Sequence, residues 1–523
     1  MAEKNGGAVK TVSLMMIITI AGKLMGLWRD RLLSINYGTG IETNAFLMAS
    51  RIPRVFFDAV FASAIAASFI PVFNEYMVKK GEREARDFAG NFITVMGFLS
   101  LILTALGMAF APQLTAFFAD GYDAPTAALC TSLTRLMFPT VLFTGIAYCF
   151  VGIIQSMDEF NLPAAISLVS NSIIIIYYYT LNEKFGIFGL AGAFLIAWLM
   201  QALVQMPYLK THGYKYKPSL SFRSEGMKKV FTLMLPVMVS TWVLPINQTI
   251  NGKFASRLFD GAGVSAIEFS NNLYLIIVGV FVLSVTNFIF PRLSRMSSGS
   301  EGEAFRQTIS DAMHSSLFIV IPLMAGLMAL SRPIVELIYG GGEFGDFSVG
   351  ITSRALLFVA LGMVGYTVQA VLSRVFFAQQ NGRIPLVAGI FSIAVNIVLC
   401  MLLIDRFDVA GLSVASAISC TVNAVILAMP LKKRGMNFLT RDFLIDMAKI
   451  IFSTLVMTAA VLLIKPLTAG LMQGKPGQAL TVVLSAMAGV SVYAAISVVL
   501  RIPEAKAAAG LVGKFLKRGE DGA

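Results

Sequence analysis

Long apolar stretches recur along the chain and constrain its fold more than any other feature. Each is long enough to cross about 30 Å of hydrocarbon as an α-helix. Their approximate bounds are 11–36, 44–77, 88–113, 125–155, 162–182, 186–209, 229–256, 264–291, 307–330, 347–378, 384–404, 409–431, 443–465 and 478–500. Only 13% of the 523 residues are charged and 57% are hydrophobic, which is too apolar for a water-soluble surface. We therefore predict an all-α membrane protein with fourteen transmembrane helices.

The positions of the Lys and Arg residues predict how the chain is oriented. An even number of spans places both termini on one side of the membrane. If that side is the cytoplasm, 25 of the 41 Lys and Arg residues fall in cytoplasmic segments and six fall in the opposite segments. This asymmetry satisfies the positive-inside rule. Basic loops that face anionic lipid also explain the net charge of +12, so no nucleic-acid partner is expected.

Charged side chains are concentrated in the first two apolar stretches. They are Lys23, Arg29, Asp30, Arg51, Arg54 and Asp58. Each would cost at least about 2.5 kcal/mol at the membrane centre unless it faced water or a partner, so the group predicts a hydrated cavity. Two alternatives remain open at this stage. Arg54 and Asp58 could simply neutralise each other as an i, i+4 pair, and long side chains such as that of Arg31 could reach the membrane surface.

Helical spacing refines this prediction. Lys23 and Asp30 are seven residues apart and share one face of the first helix. Gly22 and Gly26 form a small-xxx-small pair, which permits close approach of another helix or a local bend. Pro53 interrupts the charged stripe of the second helix and is expected to kink it.

Two parts of the sequence resemble each other. FGIFGLAGAFLI from Phe185 aligns with FDVAGLSVASAI from Phe407 at an offset of 222 residues. An offset that spans six helices indicates two six-helix bundles in a parallel repeat. We predict bundles at 1–220 and 221–435, two additional helices at 436–502 and a cytoplasmic tail at 503–523. Transporters of this kind bind substrate between the halves and rock to expose it on alternate sides.

The second predicted bundle contains amide side chains in the helices that match the cation-bearing helices of the first. The seventh and eighth stretches contain Asn247, Gln248, Asn251, Asn271, Asn272 and Asn287. A cationic, amide-rich cavity suits phosphate or pyrophosphate and suits a cationic drug poorly. A multidrug or small-molecule antiporter would need a carboxylate relay, and its best candidates, Asp30 and Asp58, both lie beside arginines.

Four scattered cysteines and two histidines indicate no disulfide framework or metal site. No catalytic constellation or cofactor motif is visible, so enzymatic activity is not expected.

The run KLMGLWRDRLLSINYGTGIETNAFLMASRIPRVFF, followed by SFIPVFNEY, resembles the opening of the MurJ (MviN) family of lipid II flippases. This family lies within the multidrug/oligosaccharidyl-lipid/polysaccharide exporter superfamily. Further matching pieces are GVFVLSVTNFIFPRLSR from Gly279, LIYGGGEF from Leu337, RVFFAQQNGRIP from Arg374 and AGLSVASAI from Ala410. The resemblance covers nearly the whole chain.

The resemblance implies a flippase that moves undecaprenyl-pyrophosphate-linked muropeptide to the outer leaflet of the bacterial cytoplasmic membrane, with both termini cytoplasmic. Membrane lipids and the cell-wall synthesis machinery are the other implied partners. The family's basic cavity positions fall on Lys23, Arg29 and Arg51, and its acidic partner falls on Asp30. The two extra C-terminal helices would help to form a groove for the lipid tail. A flippase of another polyprenyl-linked glycan is the alternative within the same superfamily.

The sequence departs from the family pattern at several positions. The usual acidic residue before A-F in the second helix is Asn44, and a later arginine position is Phe57, so Arg54 would supply that charge one turn earlier. The acidic-arginine pair often found in the eighth helix falls on Asn271 and Asn272. The predicted substrate-binding set therefore comprises Lys23, Arg29, Asp30, Asn44, Arg51, Arg54, Asp58, Asn271 and Asn272.

Overall fold

The chain folds into helices joined by short turns. The structure, a computed structural model, describes residues 2–57, 68–241, 243–296, 302–379, 381–433, 439–469 and 474–506. Its contacts divide the chain into two compact units. Unit 1 contains Met1–Ser265 together with Gly342–Phe344, and unit 2 contains Ala266–Gly341 together with Gly345–Ala523. The all-α membrane class predicted from the sequence is confirmed.

Unit 1 contains twelve helices in the described part of the chain. They are α1 (Ala2–Tyr37), α2 (Ile41–Phe57), α3 (Ile70–Lys79), α4 (Glu82–Ala109), α5 (Ala111–Phe118), α6 (Ala124–Met137), α7 (Thr140–Gln155), α8 (Asn161–Thr180), α9 (Asn182–Leu203), α10 (Met206–Thr211), α11 (Glu225–Thr241) and α12 (Val243–Ala255). Local sequence signals explain several boundaries. Asp123 caps α6 by accepting a hydrogen bond from the Thr126 backbone N–H, and a proline follows at the first turn. Pro53 lies inside α2, which continues to Phe57 at the end of its described range.

The other helices belong mainly to unit 2. They are α13 (Ala262–Met296), α14 (Gly302–Ala329), α15 (Ser331–Ile338), α16 (Asp346–Ala360), α17 (Gly362–Ala378), α18 (Arg383–Lys433), α19 (Arg441–Ala469) and α20 (Gly474–Val499). The helix α13 begins in the last residues of unit 1 and continues into unit 2. A hydrophobic core joins α14, α17, α18 and α19 to the residues that follow α20.

Among the described residues, eight helices or continuous helix pairs are long and apolar enough to cross a membrane. A ninth span results if α16 and α17, which are bent by 45° at their junction, are counted together. One of the eight is α18, whose 51 residues cover two of the stretches predicted from the sequence. The described part of α2 stops at Phe57, within its predicted span. The exact count of fourteen stays a prediction.

The two segments that align in the sequence share a backbone feature. Gly186 interrupts α9 with φ 52° and ψ −145°. Asp408 interrupts α18 with φ 49° and ψ −132°. These residues occupy equivalent positions at the offset of 222, directly after Phe185 and Phe407. The repeat therefore extends from sequence to backbone geometry.

The boundary between the two compact units differs from the predicted boundary between the two bundles. Unit 1 extends to Ser265 and so includes α11 and α12, which were predicted to belong to the second bundle. A unit defined by its contacts need not coincide with a bundle defined by a sequence repeat. The bundle boundaries at 220 and 435 therefore stay predictions. Residues 507–523 of the predicted tail lie outside the described residues.

Candidate functional site

Arg29 and Asp30 form an ion pair on α1. The Arg29 Nε and Nη2 atoms donate to Asp30 Oδ1 at 3.0 and 2.8 Å. Adjacent residues on a helix do not normally face each other, but the long arginine side chain turns back to reach its neighbour. The side chains are 27% and 13% exposed, so the pair is largely removed from solvent. Asp30 therefore fixes the direction of the Arg29 guanidinium.

Asn171 on α8 is a third member of this group and was not among the residues predicted from the sequence. Arg29 Nη1 donates to Asn171 Oδ1 at 3.2 Å, and Asn171 Nδ2 donates to the Gly22 carbonyl at 3.2 Å. The amide thus connects the guanidinium to the α1 backbone. Its signal in the sequence was an amide inside an apolar stretch, a residue type that is rare in transmembrane helices without a partner.

Gly22 and Gly26 allow α1 and α8 to approach closely, as their spacing predicted. A Cβ atom at Gly22 would lie 2.5 Å from Ser167 Oγ, which is inside van der Waals contact. A Cβ atom at Gly26 would lie 3.7 Å from Asn171 Nδ2. Of the two possibilities left open by the glycine spacing, the structure shows the close approach, which brings Asn171 within reach of Arg29.

Arg51 makes a different kind of contact. Its Nη1 atom donates to the Gln248 carbonyl of α12 at 3.1 Å, within unit 1. Gly252, one helical turn further along α12, provides the space, because a Cβ atom there would lie 2.7 Å from Arg51 Nη1. Arg51 therefore links α2 to α12 in this conformation.

The remaining charged candidates of unit 1 have different environments. Lys23 is half-buried on α1, and Arg54 is exposed on α2. Asp58 lies outside the described residues, so its predicted pairing with Arg54 stays a prediction. Arg31 lies over the Trp28 ring at 5.8 Å from its centroid.

Asn44 is 1% exposed, and its amide is fully engaged. Nδ2 donates to the carbonyls of Thr39 and Gly40 at 2.8 and 2.7 Å. Oδ1 accepts from the Ser265 backbone N–H at 3.1 Å, near the start of α13. The Asn44 carbonyl accepts from Tyr122 Oη at 2.7 Å. In this structure Asn44 holds the beginning of α2 against the start of α13, and its role in substrate binding stays a prediction.

Asn271 and Asn272 are half-buried on α13 in unit 2. Unit 2 also contains a cavity of about 410 Å³ between the α16–α17 bend and the second half of α18. Its lining is nearly all apolar, with Leu361, Val414 and Met429 among the side chains. It contains none of the predicted site residues and lacks the cations that a pyrophosphate would require.

A further charged group of unit 1 lies at the ends of predicted spans. Asp120 accepts from Arg257 Nη2 at 2.6 Å, and Lys253 Nζ lies 3.4 Å from the same carboxylate. Partial burial opposes ionisation, but the Arg257 hydrogen bond and the two cations outweigh it and hold the Asp120 pKa below its usual value. These ionic contacts of Asp120 join the turn before α6 to the end of α12.

A sequence profile described as "Lipid II flippase MurJ" matches residues 34–477. The chain belongs to the MurJ family. The matched range includes the charged candidates of α2, Arg51 and Arg54, and both repeated segments. Lys23, Arg29 and Asp30 lie just before it.

Curated MurJ family members match over most of the chain. "Probable lipid II flippase MurJ" of Vibrio cholerae is 28% identical over 506 residues, which cover 94% of this chain and 96% of the relative. The protein with the same name in Buchnera aphidicola is 28% identical over 449 residues, covering 84% and 87%. The similarity therefore spans the full architecture rather than a single segment.

Solved structures give the same fold. "Lipid II flippase MurJ, inward closed conformation" superposes with a TM-score of 0.77 at 24% identity, covering 93% of this chain and 98% of the other. An inward-facing multidrug resistance MATE family transporter superposes with a TM-score of 0.65 at 15% identity, covering 81% and 98%. At these identities the likeness concerns the fold alone. The MurJ fold and the MATE fold are thus variants of one architecture.

Proposed function

We propose that this protein moves lipid II, the undecaprenyl-pyrophosphate-linked peptidoglycan precursor, from the inner to the outer leaflet of the bacterial cytoplasmic membrane. Membership of the MurJ family supports this substrate. The structural observation that carries the proposal is the Arg29, Asp30 and Asn171 group. It holds a guanidinium in a fixed direction where α1 packs against α8. A fixed guanidinium suits bidentate recognition of phosphate oxygens.

In the proposed mechanism Lys23, Arg29, Arg51 and Arg54 bind the pyrophosphate in a hydrated cavity while the polyprenyl tail stays in lipid. The cavity substitutes for the hydration shell, whose loss would otherwise cost many kcal/mol. Asn271 and Asn272 supply amide hydrogen bonds to the sugar or peptide. With both termini in the cytoplasm, an inside-negative potential favours outward movement of the anion by about 2.3 kcal/mol per charge per 100 mV. The cell-wall synthesis machinery is the expected recipient of the product.

An antiporter mechanism is less compatible with the geometry. Asp30 Oδ1 accepts two hydrogen bonds from Arg29, so the carboxylate is already engaged by a cation. An arginine partner competes with a proton or sodium ion for the carboxylate, which disfavours a role in ion exchange. The MATE likeness concerns the fold alone and so does not alter this comparison.

The decisive experiment depletes the lipid II flippase of a bacterial host, expresses this protein and measures lipid II at the outer leaflet. We expect the unaltered chain to restore exposure and Arg29→Ala to abolish it with normal membrane insertion. Arg31→Ala is the matched control, because Arg31 lies two residues away and packs on Trp28. Normal flipping by Arg29→Ala would remove the assigned role of Arg29. If a folded, inserted, unaltered chain failed to restore exposure, the substrate would instead be another polyprenyl-linked glycan.

A further inference from the structure

Residues 212–224, which connect α10 to α11 within unit 1, form an irregular segment that is here named the linker arm. Its contacts with α4 begin at Arg86, which donates to the Gly213 carbonyl at 2.7 Å. They extend to Phe98, whose ring centroid lies 6.3 Å from that of Phe222. The two α4 positions are 12 residues apart, or about 18 Å along the helix axis. The linker arm therefore follows α4 for more than three helical turns.

Side chains of α4 satisfy the backbone of the linker arm. Asn91 Oδ1 accepts from the Ser221 N–H at 2.7 Å, and Asn91 Nδ2 donates to the Ser221 carbonyl at 2.9 Å. The Thr94 hydroxyl accepts from the Ser219 N–H at 3.3 Å. Asn91 and Thr94 both belong to the stretch 88–113, which is predicted to cross the membrane. Irregular backbone is tolerated at membrane depth only where its polar groups have such partners.

The surface of the linker arm that faces away from α4 is partly apolar. Leu220 and Phe222 are 52% and 39% exposed. Tyr216 is also exposed, and its hydroxyl lies 2.9 Å from Thr94 Oγ1. Exposed apolar side chains beside a transmembrane helix contact hydrocarbon, and tyrosine is enriched at the boundary between lipid and water. The linker arm therefore has the side chains of a segment that lies in one leaflet.

The same segment is basic. It contains Lys215, Lys217 and Arg223, all of them exposed, and no acidic residue. The backbone of Lys217 is fixed against α4, because a Cβ atom at Gly90 would lie 2.5 Å from the Lys217 carbonyl. Lys217 Nζ lies 3.3 Å from Asp87, and both side chains are exposed. The positive charge is thus held beside the apolar surface and is accessible to a further anion.

The lysines at the adjoining ends of α3 and α11 have a different environment. Lys80 Nζ donates to Glu225 Oε2 at 2.7 Å, and Lys229 Nζ donates to Glu75 Oε1 at 3.0 Å. Carboxylates of the protein balance these two cations. A surface that combines positive charge with exposed apolar side chains is therefore provided by the linker arm rather than by its neighbours.

We propose that the linker arm is a binding surface for anionic phospholipid of the inner leaflet. Leu220 and Phe222 contact the acyl chains. Lys215, Lys217 and Arg223 contact the headgroup phosphate. Basic residues close to an anionic leaflet are attracted to it by charge alone, whereas this surface also fixes apolar side chains at hydrocarbon depth. It therefore binds a lipid rather than a soluble anion, and the inference does not depend on which substrate is transported.

The experiment measures lipid contact in the full chain by tryptophan quenching. Phe222→Trp supplies the probe, and the three native tryptophans are replaced by phenylalanine. The protein is placed in nanodiscs of equal parts phosphatidylglycerol and phosphatidylcholine, with dibrominated chains on one lipid or the other. We expect brominated phosphatidylglycerol to quench at least about twofold more strongly, because the basic residues enrich it at the probe. About 0.5 M NaCl should remove most of this difference by screening the charges.

Phe391→Trp in the same background is the matched control probe. Phe391 is 58% exposed on α18 and lies seven residues into the predicted stretch 384–404, which begins on the same side of the membrane as 88–113. The nearest charged residue along the sequence is Arg383, eight positions away. Without a basic surface beside it, this probe should be quenched equally by the two brominated lipids.

Two double variants test the lysines. Lys215→Gln combined with Lys217→Gln should lower the preference at Phe222→Trp to that of the control probe. Lys432→Gln combined with Arg441→Gln removes the same number of exposed basic residues from unit 2 and should leave the preference unchanged.

The proposal would be overturned if the two lipids quenched Phe222→Trp equally, or if neither quenched it. A preference that survived the loss of Lys215 and Lys217, or an equal preference at Phe391→Trp, would also refute it. If Phe222→Trp were not monodisperse after purification, Leu220→Trp would supply the probe at the other exposed apolar position, and the same outcomes would decide.

Discussion

The backbone break at Asp408 provides a quantitative test of the structure. At φ 49° and ψ −132°, Asp408 has a conformation that is the mirror image of an extended strand and favours glycine. Its repeat partner, Gly186, is a glycine in nearly the same conformation. We therefore expect Asp408→Gly to stabilise the protein, although most substitutions destabilise.

The magnitude follows from three contributions. Relief of the strained backbone is worth about 1 to 3 kcal/mol. The greater freedom of glycine in the unfolded chain offsets about 0.5 to 1 kcal/mol of that. The contact of Asp408 with Arg354 spans 3.9 Å between side chains that are 41% and 55% exposed, so its loss costs less than about 1 kcal/mol. The net gain is about 1 kcal/mol, or about 1 °C in the unfolding temperature of a chain of 523 residues.

Thermal unfolding of the purified protein in detergent, followed by the loss of monodisperse material, measures this difference. Gly186→Ala is the reciprocal variant. A Cβ atom at Gly186 would meet nothing within 4 Å, so its cost is backbone strain alone. We expect this strain of about 1 to 3 kcal/mol to lower the unfolding temperature by about 1 to 3 °C. The reasoning fails if Asp408→Gly is neutral or destabilising while Gly186→Ala is tolerated.

Three further variants test unit 1. Asn171→Leu removes the amide that positions the Arg29 guanidinium. Lipid II exposure should fall about tenfold with unchanged membrane insertion, because a hydrogen bond to a charged group is lost. Full lipid II exposure in this variant would contradict the role of Asn171. Gly22→Leu should cost about 1 to 3 kcal/mol in thermal unfolding, since its side chain would overlap Ser167; an unchanged unfolding temperature would show that the helices separate freely. Asp120→Asn should lower stability by less than about 1 kcal/mol near neutrality, because its partner Arg257 is partly exposed. Since the Asp120 pKa is lowered, the carboxylate contributes above its ordinary value of about 3.9 and the contribution disappears as the pH falls through the lower folded value. The difference between variant and unaltered chain should therefore shrink between about pH 5 and pH 3, and a constant difference would exclude the ionic contribution.

Features that depend on composition or on short sequence spacing could be predicted. The all-α membrane class followed from apolar stretches, because only helices or closed barrels satisfy backbone hydrogen bonds in lipid. Gly22 and Gly26, which lie four residues apart on one helix face, indicated a close helix approach or a local bend, and the structure shows the close approach, with α8 as the partner. The family followed from motifs distributed along the chain.

Features that depend on the register between distant segments could not be predicted. Arg29 and Asn171 are 142 residues apart, and nothing in either segment indicates that their heights along α1 and α8 match. His314 and Glu504, which are in hydrogen-bond contact, are 190 residues apart, and each occupies a polar stretch that resembles an ordinary helix end. The hydrogen bond from Arg51 to the Gln248 carbonyl joins residues that are 197 apart, and the role of Arg51 in substrate binding stays a prediction.

The repeated break also explains why α18 covers two predicted stretches. In unit 1, α8 and α9 are separate helices, and Gly189, three residues after the break, packs so closely on Tyr177 that a Cβ atom would lie 2.3 Å from its hydroxyl. In unit 2 the equivalent Gly411 would bring a Cβ atom within 2.5 Å of the Leu403 carbonyl. In both repeats a residue with positive φ is followed three residues later by a glycine, and together they let the chain fold back tightly on the preceding helix. The two halves of α18 therefore correspond to α8 and α9, and the same turn is built once on glycine and once on a strained aspartate.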